Sequence, residues 1–121
     1  MAKITTKPIV AIIGSRSIKT LNISHYVRPT SVAQIISGGA NGVDMIAEQW
    51  AKSNKIDFIA FLPNYKIYGN KAPLQRDREM VDASDVVIAF WDGVSTGTLY
   101  TIQYAYSIGR KCIVHLIEEH D

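Results

Sequence analysis

The 121-residue sequence has little of what marks several other protein classes. Cys112 is the single cysteine, so no disulfide can form within the chain, and no apolar run reaches the roughly 18 residues that cross a membrane. The N-terminal residues also lack the pattern of a secretory leader. We therefore expect a cytoplasmic protein without a membrane partner.

Excess charge and metal-ligand patterns are also scarce. Lysine and arginine number 13 against 11 aspartate and glutamate, a net charge of +2 that is too balanced to predict nucleic acid as a partner. No His/Cys spacing typical of a metal site occurs, and both the G-x-G-x-x-G fingerprint and the P-loop pattern are absent. The sequence thus predicts no metal and no cofactor, and any anion site must be local.

What the sequence does contain is an alternation of strands and helices in one domain, residues 1–121. Apolar, mostly β-branched runs predict five strands, near 8–14, 33–37, 57–63, 85–91 and 111–117. Apolar periodicity and end signals predict helices at 43–55, 72–83 and 97–108, with a weaker helical pattern at 21–27. Because parallel neighbours need helical crossovers, we expect a three-layer α/β domain with a five-stranded, mainly parallel sheet.

Ligands of such sheets bind outside the carboxyl ends of the strands, and glycine-rich segments follow several strands here. In "SGGANGVD" (37–44), Gly38 and Gly39 predict positive φ and close approach of another group, and the next helix begins with free N–H donors. A tight turn alone would also explain such glycines, and Asp44 also suits a helix's first turn. The candidate binding residues of this segment are Ser37, Gly38, Gly39, Gly42 and Asp44.

Two further segments, "GSRS" (14–17) and "WDGVSTGT" (91–98), follow strands and should meet the first at one rim. The second adds hydroxyl groups to a helix N-terminus, so two helix ends suited to an anion face one crevice. The candidate binding residues here are Gly14, Ser15, Arg16, Gly93, Ser95, Thr96, Gly97 and Thr98, with Asp92 as a functional carboxylate.

The loop at 63–79 mixes aromatic and basic residues. Tyr68 can stack on a base and Arg76 can pair with a phosphate, although a solvated loop would have a similar composition. Trp50 is interpreted as a core or subunit contact, and Cys112 and His115 as core residues.

Four segments, "GSR", "SGGANGVD", "YGNKAPLQRDREM" and "FWDGVSTGT", resemble the SLOG superfamily and specifically its small YspA-like branch, over nearly the whole chain. "SGGANGVD" is also similar to the S-G-x-A-x-G-[IV]-D motif of the DNA-processing protein of natural transformation. "GVSTGT" occupies the place of P-G-G-x-G-T in the Lonely Guy nucleotide phosphoribohydrolases. The resemblance implies a Rossmann-like fold that binds nucleotides or related phosphates at the carboxyl ends of the strands.

The same resemblance bears on catalysis. Arg76 stands four positions before Met80, as the catalytic arginine does in the Lonely Guy motif R-K-x-x-M, with Asp77 in place of the lysine. The L-E-E that acts at the ribose in those enzymes is replaced by Leu99, Tyr100 and Thr101. The resemblance therefore implies Arg76 as catalytic only if the chain is an enzyme, with Asp92 or Asp44 in place of the missing carboxylate.

We expect the domain to bind a nucleotide-derived small molecule, a nucleoside phosphate or an ADP-ribose-like compound, as its carrier or sensor. An enzyme that cleaves the N-glycosidic bond of a nucleotide is the first alternative. Single-stranded DNA binding is the second, which the lack of a basic track disfavours. Loss of Arg76 is expected to weaken binding most while the fold survives. Large side chains on the helices predict a homodimer or larger even assembly, through Trp50, Tyr100 and Tyr104.

Overall fold

The structure, a computed structural model, describes residues 6–118. The strands are β1 (Ile9–Gly14), β2 (Gln34–Ser37), β3 (Asp57–Ala60), β4 (Val86–Trp91) and β5 (Lys111–Leu116). They form one sheet in the order β3-β2-β1-β4-β5, and every neighbouring pair is parallel. The strand order therefore reverses between β1 and β4.

Four helices connect the strands: α1 (Val43–Ser53), α2 (Tyr65–Tyr68), α3 (Ala72–Ala83) and α4 (Thr96–Ser107). Single 3-10 turns lie at Ile23–His25, Pro29–Ser31 and Gly69–Lys71. The range predicted for the second helix coincides with α3. The other two predicted ranges differ from α1 and α4 by one or two residues at an end.

The two faces of β1 show why three layers form. Val10 and Ile12 pack in the cluster that contains the apolar face of α1, whereas Ala11 and Ile13 pack in the cluster that contains α3 and α4. Side chains alternate across a strand, so one continuous apolar run supplies both cores. The predicted three-layer α/β architecture is confirmed.

Three local predictions differ from the structure. β3 ends at Ala60 rather than at residue 63, because its neighbour β2 ends at Ser37, the residue that pairs with Ala60. The segment after it was predicted as a loop, but it begins with helix α2, whose cap is the Asn64 side chain accepting from Ile67 N at 3.2 Å. The weaker helix at 21–27 is one 3-10 turn.

The residues interpreted as core lie at its margin. Trp50 is half-buried against the α1 cluster, and its Nε1 donates to Ser24 Oγ at 2.8 Å. Cys112 and His115 are also half-buried, because β5 is an edge strand. His115 stacks on Phe90 with 5.4 Å between ring centroids.

Candidate functional site

A cavity of about 410 Å³ opens where the strand order reverses, beyond the carboxyl ends of β1 and β4. This is the place where open α/β sheets bind ligands. Its walls come from the turns after β1, β2 and β4 and from helices α3 and α4. The lining residues are Ile13, Gly14, Arg16, Ser17, Ala40, Asp44, Pro73, Leu74, Arg76, Asp77, Asp92, Ser95, Gly97, Thr98 and Thr101.

The turn after β1 is held tightly against its neighbours. A Cβ on Gly14 would lie 2.5 Å from Phe90 O and 2.6 Å from Val43 Cγ2, so no side chain fits there. Ser15 is buried, and its Oγ accepts from the backbone N–H of Asp92 at 3.1 Å. Arg16 is exposed at the cavity wall, and it has no ion-pair partner among residues 6–118.

Asp92 organises the turn after β4. Its Oδ1 accepts from the backbone N–H groups of Val94 at 2.9 Å and Ser95 at 2.7 Å, and its Oδ2 accepts from Ser17 Oγ at 2.7 Å. Partial burial would raise the pKa of Asp92, but these hydrogen bonds outweigh it and lower the pKa to about 2. Asp92 is therefore an ionised carboxylate with both oxygens engaged.

The N-terminus of α4 points donors at the cavity. Ser95 is the residue before the helix, and its Oγ lies 3.1 Å from Thr98 Oγ1 rather than on a backbone N–H. The N–H groups of residues 96–98 have no partner within the described part of the chain. Gly97 and Thr98 line the cavity. These free donors and the helix dipole suit an anion.

The N-terminus of α1 has a different character. The positive φ predicted for Gly39 is present (75°), and Gly42 also has a positive φ (79°). The positive φ predicted for Gly38 is absent, so that part of the prediction is wrong. Asp44 is buried in the first turn of this helix, where Oδ1 contacts Ser37 Oγ at 3.0 Å and Oδ2 accepts from Ala40 N at 3.2 Å. A carboxylate already occupies this helix end, so it suits a hydroxyl group better than a phosphate.

Burial controls the protonation of Asp44. Desolvation raises its pKa to about 6, against the lowering effects of the Ala40 N–H, of Arg76 and of the Ser37 hydroxyl. The Ser37 hydroxyl also contacts the Ile12 carbonyl at 2.8 Å. The Ser37 hydroxyl has one proton, which it can donate to only one of these two acceptors. If it donates to the Ile12 carbonyl, a protonated Asp44 can donate its own proton to Ser37 Oγ.

Arg76 lies at the floor of the cavity and is only 6% exposed. Its Nε donates to Asp77 Oδ1 at 2.7 Å, and its Nη1 donates to the carbonyls of Gly38 and Phe61. The interpretation of residues 63–79 as a solvated loop therefore does not hold for Arg76. A Cβ added to Gly38 would lie 2.5 Å from Arg76 Nη1 and 2.7 Å from Asp44 Oδ2, so the backbone passes between them closely.

Asp77 completes this floor, and the sequence analysis missed it. Its Oδ2 accepts from Thr101 Oγ1 at 2.9 Å, and that hydroxyl also lies 3.0 Å from the Gly97 carbonyl. Burial raises the pKa of Asp77, opposed by Arg76 and by the Thr101 hydroxyl. Two carboxylates with raised pKa values, Asp44 and Asp77, thus flank one buried guanidinium.

The structure brings about half of the predicted site residues to the cavity wall. Those that line it are Gly14, Arg16, Asp44, Arg76, Asp92, Ser95, Gly97 and Thr98. Others shape the turns from behind: Ser15, Ser37, Gly38, Gly39, Gly42 and Gly93. Tyr68 and the Thr96 side chain are exposed and do not line it, because α2 carries Tyr68 away from the rim. Pro73 and Leu74 line the part of the wall where the sequence predicted Tyr68.

Neither a metal-binding cluster nor a membrane-spanning helix is found in the described part of the chain. Residues 6–118 contain no group of three or more His, Cys, Asp or Glu side chains that could hold a metal ion. Within the same residues, no helix combines the length and apolar character needed to cross a bilayer.

An open parallel sheet with its cavity at the reversal of strand order is a Rossmann-like α/β domain. Residues 8–68 match the model of the family described as "YspA, cpYpsA-related SLOG family", and the chain belongs to this family. The resemblance to the SLOG superfamily seen in the motifs is confirmed.

Two known proteins are similar to this chain. The Gene 61 protein of Mycobacterium phage D29 is 35% identical over 85 residues, which are 65% of this chain and 68% of that protein. Among solved structures, DNA processing protein A (DprA) from Streptococcus pneumoniae superposes with a TM-score of 0.67 over 89% of this chain, at 20% identity. This chain covers 50% of that protein, so the likeness concerns the fold of one part.

Proposed function

We propose that the protein binds a nucleoside phosphate or an ADP-ribose-like compound in the cavity at the reversal of strand order and acts as its carrier or sensor. One observation carries the proposal: the same cavity has free helix N–H donors beside an arginine and also buried carboxylates. The phosphate lies at residues 96–98 with Arg16. Sugar hydroxyl groups bond to Asp44 and Asp77, whose oxygens accept hydrogen bonds.

The test compares phosphorylated ligands with their dephosphorylated forms by calorimetry. Each common nucleoside 5′-monophosphate and ADP-ribose is titrated, together with the matching nucleosides. We expect the phosphorylated form to bind at least about tenfold more tightly, because hydrogen bonds to a charged group contribute about 1.5–3 kcal/mol. Equal affinities for AMP and adenosine, and for the other pairs, would contradict the proposal.

The variant Arg16→Ala tests whether the phosphate binds at the rim of the cavity. Arg16 is exposed, so its loss should leave the free energy of unfolding unchanged and remove about tenfold of the affinity for a nucleotide. Affinity for the nucleoside should not change. Arg28→Ala is the matched control, because Arg28 is also exposed but does not line the cavity. An equal loss in both variants would mean that Arg16 acts only through net charge.

The two carboxylates favour a second candidate function, hydrolysis of a nucleotide's N-glycosidic bond. In this reaction a water oxygen bonds to C1′ while the C1′–N bond breaks, and the base leaves with a proton. Asp44 and Asp77 suit proton transfer better than Asp92, because burial raises the pKa of each of them, whereas hydrogen bonds lower the pKa of Asp92 to about 2. Release of free base from monophosphates by the parent protein, abolished in Asp77→Asn, would establish this function. Absence of release by the parent would exclude it.

Single-stranded DNA is the remaining alternative, and the structural likeness to DprA raises it. The cavity wall carries two arginines, Arg16 and Arg76, against three aspartates, Asp44, Asp77 and Asp92. A polyanion needs a track of positive charge, which this wall does not provide. An oligonucleotide in the same titration series is expected to bind more weakly than the best mononucleotide.

A further inference from the structure

The outer side of β5 has unpaired backbone groups. Ile117 N donates to Trp91 O at 2.8 Å, and the register pairs Lys111–Leu116 with Val86–Trp91, so odd-numbered residues bond toward β4. The N–H and C=O groups of the even-numbered residues therefore point away from the sheet. Within residues 6–118, these groups of Cys112, Val114 and Leu116 have no partner.

Two side chains of this edge, those of Val114 and Leu116, are apolar and exposed. Val114 is 36% exposed and Leu116 is 58% exposed. Tyr106, 60% exposed, extends the surface from α4. It lies on the flank of α4 that is turned away from α3, because Thr101 and Tyr104 contact α3 side chains. We call Tyr106, Cys112, Val114 and Leu116 the edge strip.

The opposite edge of the sheet is protected, and this edge is not. β3 has only four residues, begins with Asp57 and is followed by Pro63, all features that discourage a further strand. β5 has six residues in continuous register with β4, and it contains no proline and no bulge. Its only charged residue is Lys111 at the start. An edge of this kind is normally covered.

We propose that two copies of this chain pair through β5 in an antiparallel homodimer whose two-fold axis passes beside Val114. A residue whose N–H and C=O groups point away from its own sheet must face a residue of the same kind in the second copy, because only these groups can form the hydrogen bonds between the strands. This requirement restricts the possible registers. In the register centred on Val114, Cys112 faces Leu116 of the second copy and Arg110 faces its Glu118. The result is a ten-stranded sheet across both subunits.

The charges at the ends of β5 favour a second copy as the occupant. The two-fold axis repeats each contact, so both ends of the interface pair Arg110 with Glu118. Arg110 donates to the Ser84 carbonyl and has further N–H groups for a carboxylate. No residue of β5 lines the ligand cavity, so both cavities stay open in the dimer.

This surface differs from the one that the sequence predicts for a homo-oligomer. Trp50 bonds to Ser24 and packs on the core, and Tyr104 OH donates to Asp82 at 2.6 Å while its ring lies under Arg78. Those side chains have partners within the chain, whereas the outward backbone groups of Cys112, Val114 and Leu116 have none within residues 6–118.

Light scattering at micromolar concentration tests the interface. We expect twice the mass of the chain for the parent and the mass of one chain for Val114→Lys, which should remain folded with a melting temperature lower only by the stabilisation that dimer formation supplies. Ile59→Lys on β3 is the matched control, because Ile59 is 44% exposed on the other edge and its variant should stay dimeric. A monomeric parent, or a Val114→Lys variant that stays dimeric, would overturn the proposal.

Cross-linking tests the register. Facing residues in a hydrogen-bonded antiparallel pair have Cα atoms about 5.5 Å apart, a separation that a disulfide spans. Leu116→Cys should therefore form a covalent dimer with Cys112 of the second copy on mild oxidation. The double variant Cys112→Ser/Leu116→Cys should not. Failure of the first to cross-link, or equal cross-linking of both, would overturn the register centred on Val114.

Discussion

Replacing Arg76 with alanine lowers the free energy of unfolding by about 3–5 kcal/mol, the loss expected when one partner of a buried ion pair is removed. Arg76 is 6% exposed and its guanidinium serves the Asp77 carboxylate and the carbonyls of Gly38 and Phe61 at once. Without it, a buried charge and two carbonyls lose their donor. The sequence-based expectation that the fold would tolerate this change is revised, because it assumed an exposed side chain.

Urea denaturation of the parent and the variant measures this loss. Arg78→Ala is the matched control, since Arg78 lies on the same helix but is exposed, and its variant should lose no more than the weak contact with the Tyr104 ring. A parent-like midpoint for Arg76→Ala would show that solvent can replace the guanidinium. For this reason ligand binding in the cavity is better tested through Arg16, whose loss is not expected to disturb the fold.

The pH dependence of stability should have an unusual maximum near pH 4. Asp44 has its pKa raised from 3.8 to about 6, so between these values the folded chain holds more protons than the unfolded chain. Stability therefore falls as the pH rises through this window, by about 3 kcal/mol for a shift of about two units. Asp77 acts in the same direction.

Below pH 4 the dependence of stability on pH has the opposite sign, because of Asp92. Its pKa is lowered to about 2, so the unfolded chain binds protons first and stability falls as the pH drops from 4 toward 2. Urea denaturation between pH 2.5 and 7 measures both limbs. Asp44→Asn should flatten the upper limb and leave the lower one. A stability that rises steadily from pH 4 to pH 7 would mean that Asp44 is ionised in the folded protein at no cost.

The features that sequence predicted well are those that local pattern determines. The apolar run of β1 and the small residues around Gly97, in the first turn of α4, can be recognised without knowledge of distant residues, so the sequence predicted both the sheet and the free helix end. Asp77 was missed because its role depends on Thr101, 24 positions away, and on burial. Tyr68 was assigned to the rim because nothing nearby in sequence reveals the direction in which α2 leads the chain.

The N-termini of α1 and α4 also differ from each other in the kind of group that they suit, which the sequence did not predict. Two glycine-rich turns read alike in sequence, since both precede a helix. In the folded chain Asp44 is turned back onto the Ala40 N–H, and this single contact distinguishes the end that suits a hydroxyl group from the end that suits a phosphate. Pattern alone could not separate them, because the direction of the Asp44 side chain follows from the packing of Ser37 beneath it.

The hydrogen bonds of Asp92 have a kinetic consequence. Because Asp92 bonds to Ser15 and Ser17, and Gly42 lies against the Arg16 backbone, the turn that carries Arg16 is held from both sides. The crevice thus has its shape before any ligand arrives, and little of the contact energy is spent on ordering the chain. For the proposed ligand, association is then expected to be limited by diffusional encounter rather than by the closing of a loop, and we expect residence time to distinguish one ligand from another.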